Sequence, residues 1–304
     1  MRTRSWTARA RTAPAPAPVL LLVVTALALV AALVGPLGAE AQAAPAGRHD
    51  RWAPVAAATI TPGVQMYTDG AQCTANFVFT DKRGRVYVGY AAHCAGLGEA
   101  TDTSGCTTDT LPRGTTVKFA RGGNLASNGT IVGRGRLAYS SWDTMARLGT
   151  TDADTCDYND FALVKVQRRH VDRVNPTVPF FGGPTGLSRT GAPAGSPVYS
   201  YGQSSLRPTA LLSPKYGFSL GGSGDWSWDV YTLTPGIPGD SGSGFLDADG
   251  AAFGTLSTVA LAPLPLSNGV GDLASELDFA RRHSGIPGLR LASGTEPFSA
   301  LPLG

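Results

Sequence analysis

Apolar and polar residues alternate over several short stretches of this 304-residue chain. Residues 76–80 (Asn-Phe-Val-Phe-Thr) read as a strand, Asp81-Lys82-Arg83-Gly84 as a turn, and 85–90 as the returning strand, so a hairpin is predicted. Residues 116–120 and 130–139 predict a further pair about a Gly/Asn-rich turn at 122–129. Phe161 to Val166 is a short apolar run, the pattern of a core strand. Asp152, Asp154 and Asp157, just before it, read as a solvated loop. A Pro/Gly-rich connection at 175–195 is the expected junction between two halves. Beyond it, strands are predicted at 197–202, 216–220, 226–233, 244–246 and 252–259. Helical spacing appears once, over 273–283, where Leu273, Ala274, Leu277 and Ala280 recur on one face, with basic residues at the end and Gly285 after it.

This pattern predicts an all-β domain over 60–285. It is preceded by a flexible lead or short pro-segment at 44–59 and followed by an irregular tail at 286–304. Composition agrees: 39 Gly, 22 Pro and 15% charged residues suit a loop-rich β protein more than a helical one.

The first 43 residues read differently. Arg2, Arg4, Arg9 and Arg11 precede an apolar run from Val19 to Val34, and Ala39-Glu40-Ala41-Gln42-Ala43 follows. Basic, apolar and Ala-x-Ala parts in that order make a secretory signal, cut after Ala41 or Ala43. The run is shorter than the roughly 20 residues a membrane span needs, so the expected product is exported and holds no membrane anchor. The leader takes four of the 25 basic residues and one of the 22 acidic ones with it, which leaves the two signs equal. That balance speaks against a nucleic-acid surface. Four cysteines, Cys73, Cys94, Cys106 and Cys156, suggest two disulfides in an exported chain, and four allow three pairings. One of these, Cys73 to Cys94, would pin the 85–90 strand to its partner, worth roughly 3 kcal/mol in the chain-entropy model. Zinc-ligand spacing is absent.

Three stretches carry candidate chemistry. Pro238-Gly239-Asp240-Ser241-Gly242-Ser243-Gly244 sets a serine among glycines, where an exposed hydroxyl and close backbone N–H groups are sterically possible. Ala91-Ala92-His93-Cys94 closes the predicted hairpin. Asp160 directly precedes the apolar run at 161, where an unpaired carboxylate would be costly and a histidine would be a good partner. Serine acyl transfer needs a base and a carboxylate that fixes the base's tautomer.

With His93, Asp160 and Ser241 in that order, the chain resembles the chymotrypsin-like serine proteases, in style closest to secreted bacterial members. The resemblance spans about residues 60–285 and rests on Ala91-Ala92-His93-Cys94, Asn159-Asp160-Phe161-Ala162-Leu163 and Gly239-Asp240-Ser241-Gly242-Ser243-Gly244. It implies two packed six-stranded antiparallel β-barrels with a short C-terminal helix, and a triad in the cleft between them. It further implies a nucleophile Ser241, a base His93 oriented by Asp160, and an oxyanion hole formed by the N–H groups of Gly239 and Ser241. Ser257 becomes a support for Asp160. Pro235 falls at the base of the side-chain pocket and Val259 on its wall, which argues against basic residues and for small or medium apolar ones. The expected partner is a protein or peptide substrate, the expected state a monomer, and no cofactor or metal is expected. Two departures stand out. Tyr90 occupies a position usually held by a small hydroxyl residue. Asp240 has no freed N-terminus to pair with, so an interior arginine is the expected partner. Rival readings are a catalytically silent binding protein on the same fold, and a serine esterase, which would show the order Ser, Asp, His in an α/β pattern.

Overall fold

Fourteen strands and three short helices make up the computed structural model, which describes residue 49 and residues 51–98, 104–260 and 265–301. The expected leader lies outside the described residues. Among the described residues no helix is long and apolar enough to cross a membrane.

The N-terminal half contributes β1 (Gln65–Thr68), β2 (Ala71–Thr74), β3 (Val78–Thr80), β4 (Val86–Tyr90), β5 (Thr116–Arg121), β6 (Thr130–Ser140) and β7 (Ala162–Val166). After the junction come β8 (Pro197–Tyr201), β9 (Pro214–Gly222), β10 (Ser227–Thr232), β11 (Gly244–Leu246), β12 (Ala252–Ala260), β13 (Ser267–Asp272) and, in the tail, β14 (Arg290–Leu291). The second set closes into a six-stranded barrel, β10-β13-β12-β11-β8-β9. The first set forms an eight-stranded antiparallel sheet, β14-β3-β4-β7-β6-β5-β1-β2. All named strand pairs are antiparallel. With the C-terminal helix at Leu273–His283, this is the chymotrypsin-like double-β architecture.

Each half has its own core. Phe77, Phe79, Tyr90, Phe119, Leu137 and Phe161 pack inside the first. Val198, Val230, Phe245, Phe253, Leu256 and Val270 fill the barrel. Burying each such side chain contributes about 1.5–3 kcal/mol. Tyr90 takes up its unusual position without an orphaned hydroxyl: it is fully buried and lies 3.2 Å from Thr68 Oγ1.

Four local expectations are corrected. The acidic stretch before Asp160 is helical. Asp152 caps it by accepting the Thr155 N–H at 2.8 Å, and a Cys106–Cys156 disulfide anchors the helix Ala153–Tyr158. A second helix, Ser141–Leu148, buries Trp142 and Met145, and Gly149 ends it in the left-handed region at φ 63°. We number these α1 (Ser141–Leu148) and α2 (Ala153–Tyr158), and the late helix α3 (Leu273–His283).

The third correction concerns the segment before Ile60, which is fixed to the domain from Arg51 on. Ala53 N–H donates to Val174 O at 3.0 Å, Asn175 Nδ2 donates to Ala53 O at 2.7 Å, and Trp52 packs on the core. Its apolar residues have somewhere to bury, which its scattered charges obscure. The fourth is the tail. Arg290 and Leu291 pair with Thr80 and Phe79, and Ser299 N–H donates to Phe181 O at 2.8 Å. The tail therefore supplies an edge strand, and lies against the 175–195 junction as well.

Candidate active site

His93 follows β4 on a single 3₁₀ turn, Ala92–Ala95. The Cys73–Cys94 disulfide ties that turn to β2. Trp142 of α1 stands behind the imidazole, ring centroids 6.3 Å apart. The only cluster of metal-ligating residue types among the described residues is Cys73, His93 and Cys94, and both sulfurs are committed to the disulfide.

Asp160 is 2% exposed and engaged on both oxygens. Oδ1 accepts the His93 backbone N–H at 2.8 Å; Oδ2 lies 2.6 Å from His93 Nδ1 and accepts the Ser257 hydroxyl at 2.6 Å. A carboxylate only accepts, so Nδ1 carries the hydrogen and Nε2 of the neutral ring keeps its lone pair. Burial alone would push the Asp160 carboxyl up. The charge and hydrogen bonds of His93, together with Ser257, outweigh it and hold the carboxyl below its ordinary value. For His93 burial pulls the other way, and Asp160 prevails, so the imidazole binds its proton more tightly than a free histidine.

Ser241 is brought to the same place by its neighbours. Thr74 N–H donates to Ser241 O at 2.8 Å. Gly242 lies with φ +90° against Ala91 N and Thr74 O, where a Cβ would leave no room. Gly242 N–H donates to Leu256 O, one residue before Ser257. The serine thus sits between the histidine's strand end and the strand that supports Asp160. Its Oγ makes no hydrogen bond to His93, and such bonds commonly tighten only when substrate is bound.

The backbone around the serine is equally specific. Asp240 N–H turns inward to Ile237 O at 2.8 Å, while the N–H groups of Gly239 and Ser241 on either side donate to no acceptor among the described residues. Gly239 takes φ +93°, and its carbonyl is held from behind by Thr74 Oγ1 at 2.7 Å and Gln72 Nε2 at 2.9 Å. Two unspent backbone donors two residues apart are what an oxyanion site requires. Gln72 and Thr74 went unread in the sequence, where they look like ordinary residues of a polar strand.

Asp240 has two buried partners. Arg207 Nη2 contacts Oδ2, and Lys215 Nζ lies 3.0 Å from the same oxygen. The interior arginine expected from the sequence is therefore Arg207, and a lysine joins it. Both cations also donate to Pro235 O, at 2.8 and 3.3 Å.

Asn268 links the residues that neighbour Pro235 and Val259. Val259, 44% exposed, pairs directly across from Asn268 in the β12–β13 ladder. Asn268 is fully buried; its Oδ1 accepts Gly236 N–H at 2.8 Å and its Nδ2 donates to Thr258 O at 3.2 Å. One amide thus bridges the two segments. In the sequence, Ser267-Asn268-Gly269 carries only the composition of a turn, and nothing marked Asn268.

Comparison with known proteins yields solved structures alone; no family model and no curated protein matches the chain. It is similar to Thermobifida fusca Protease A at 17% identity, over 78% of this chain and 100% of that one, with a TM-score of 0.47. It is similar to Nocardiopsis protease at 18% identity, over 76% and 98% of the two chains, TM-score 0.47. Cellulomonas bogoriensis chymotrypsin aligns at 17% identity, over 77% and 98%, TM-score 0.44.

Proposed function

We propose that the protein is an exported serine endopeptidase that cleaves peptide bonds through an acyl-enzyme. The reading is carried by one observation: the hydrogen-bonded series Ser257–Asp160–His93 ends beside Ser241, whose own N–H and that of Gly239 have no acceptor among the described residues. In this reading His93 Nε2 takes the Ser241 proton as Oγ attacks the substrate carbonyl. The oxyanion is received by the two free N–H groups. His93 then returns the proton to the leaving amine, and water hydrolyses the ester by the same route.

Beyond Leu256 the edge of β12 has no partner on the β11 side among the described residues, so an extended substrate can pair there. With Asn268 bridging Gly236 and Thr258, and Val259 at the rim, the pocket for the residue before the scissile bond accepts Gly, Ala or Ser. Export is supported by the leader-like N-terminal sequence and by the two disulfides. Substrates are protein or peptide chains, and the enzyme acts as a monomer.

The test is labelling of the processed protein and its Ser241→Ala variant with a fluorescent fluorophosphonate. Labelling of the wild type alone is expected. A folded, unlabelled wild type would favour a silent binding protein, the reading on whose side the absent Ser241–His93 bond stands. A peptide library varied before the scissile bond checks the pocket. Asn268→Gly should admit Leu or Phe with a gain of about 10-fold or more, the scale of a few methylenes; an unchanged profile would remove Asn268 from that role.

A further inference from the structure

Glu276 is the carboxyl for which the chemistry above has no use. It lies in the first turn of α3, is fully buried, and forms no ion pair among the described residues. Its Oε1 accepts the backbone N–H of Asp160 at 3.3 Å, a donor it shares with Tyr158 O at 3.0 Å. Its Oε2 lies 3.0 Å from Thr255 Oγ1, which also accepts Asn76 Nδ2 at 3.3 Å. Room for it is made by Gly271, where a Cβ would strike Oε1. The carboxyl therefore sits directly behind the triad aspartate, in a slot shaped for it.

Its surroundings do not suit a charge. The ionisable groups acting on it are Asp160 ahead of β7 and Asp272 at the cap of α3, both acids, and the buried Tyr139 phenol of β6 feels its field in turn. Among the described residues no lysine, arginine or histidine forms an ion pair with it. Two neutral hydrogen bonds do not offset removing a carboxylate from water, and a second negative charge next to Asp160 would be disfavoured again. Asp160 has His93 to keep it ionised; Glu276 has nothing equivalent. Burial and the Asp160 charge accordingly hold the Glu276 carboxyl well above the ordinary carboxylate range. As the neutral acid it can donate its O–H to Thr255 Oγ1 while Oε1 still accepts from Asp160 N–H, so each of its polar atoms is satisfied.

We propose that Glu276 is a positioning residue that works as an uncharged acid, fixing the Asp160 backbone from behind and leaving Asp160 as the sole negative charge presented to His93. The role rests on the catalytic reading for its effect on rate, but not for its effect on the histidine.

Two variants separate reach from charge. Glu276→Gln keeps the length and is always neutral. Glu276→Asp keeps the acid but withdraws the oxygen by one methylene. Two readouts are needed: the titration of the His93 ring by NMR, which requires no activity, and the rate of fluorophosphonate labelling. Glu276→Gln is expected to hold the His93 midpoint within about 0.2 unit of the wild type and labelling within about two-fold. Glu276→Asp is expected to shift the midpoint and slow labelling about 10-fold, the effect of losing one buried hydrogen bond. The reverse order, Asp tolerated and Gln harmful, would overturn the proposal. So would a His93 midpoint lowered by about half a unit or more in Glu276→Gln, since that would report the loss of a negative charge. Wild-type-like behaviour of both variants would overturn it too. A wild type that titrates as expected yet is not labelled would count against the catalytic reading alone, and the order of the two midpoints would still decide the role of Glu276.

Discussion

Asp160 and Asp240 are both buried aspartates within reach of Ser241, and they are partnered in opposite ways. Asp160 faces one histidine, one hydroxyl and one backbone N–H. Asp240 faces a guanidinium and an ammonium, with the N–H groups of Ser204 and Ile237 at 3.0 and 3.2 Å. The first charge is balanced only when His93 holds protons on both ring nitrogens. The second is balanced permanently, with one cation to spare. A carboxylate whose partner can gain and lose charge is suited to assist a proton transfer. One locked to a permanent guanidinium, with an ammonium beside it, is suited to hold a loop, here the one that carries Gly239 and Ser241.

The sharpest way to break this contrast is to neutralise each aspartate. Asp160→Asn should leave the fold nearly as stable, because a neutral imidazole tolerates a neutral neighbour. The amide would favour the wrong tautomer of His93 and lower kcat by about 10⁴, the size of that effect in the chymotrypsin triad. Asp240→Asn should strand two buried cations and cost about 3–5 kcal/mol, read as a lower denaturation midpoint. If Asp240→Asn proved stable and Asp160→Asn unstable, the division of labour would be reversed.

A smaller effect sharpens the same comparison. Burial pushes the Lys215 ammonium down to about 8, with the Arg207 charge adding to the effect and Asp240 opposing it. Between about 8 and the ordinary lysine value near 10.4, the unfolded chain binds the extra proton and the folded one does not. Stability should therefore rise with pH across that window and lose this contribution below it. Urea denaturation of the wild type and of Lys215→Met at pH 7.5 and 10 would check it. The variant should show a flatter dependence, and an equal slope in both would mean that Lys215 does not titrate there.

Much of this site was legible before any coordinates. His93, Asp160 and Ser241 carry their chemistry in short local patterns, and a strand end or a glycine turn is visible in the alternation around each. Ser257 came only through the family resemblance, and the other supporting residues were not legible, because their roles come from the opposite side of the fold. Glu276 shares a helical face with Leu273, Leu277 and Ala280, so its burial was implied by spacing, but what it would meet there was not. Lys215 stands where β9 alternates inward, against the ordinary expectation that a lysine faces water. Gln65–Thr68 is buried at all four positions despite its polar ends, so it lacked the alternation that reveals a strand. Helix α1 is only eight residues long, too short to show a clear period, and it is Trp142 on this helix that backs His93.

The pairing of β14 with β3 has a consequence for the order in which the molecule can be built. A ribosome that has made the His93 and Asp160 half has not yet made the strand that finishes that half's sheet. Asn175, which grips the entering segment at Ala53, also waits for Thr295, its partner at 2.9 Å. The first half is therefore completed only after the serine half has been synthesised. A growing chain passes through no stage at which a finished first half stands alone, and the candidate site that joins the two halves is completed only once the whole chain has been made.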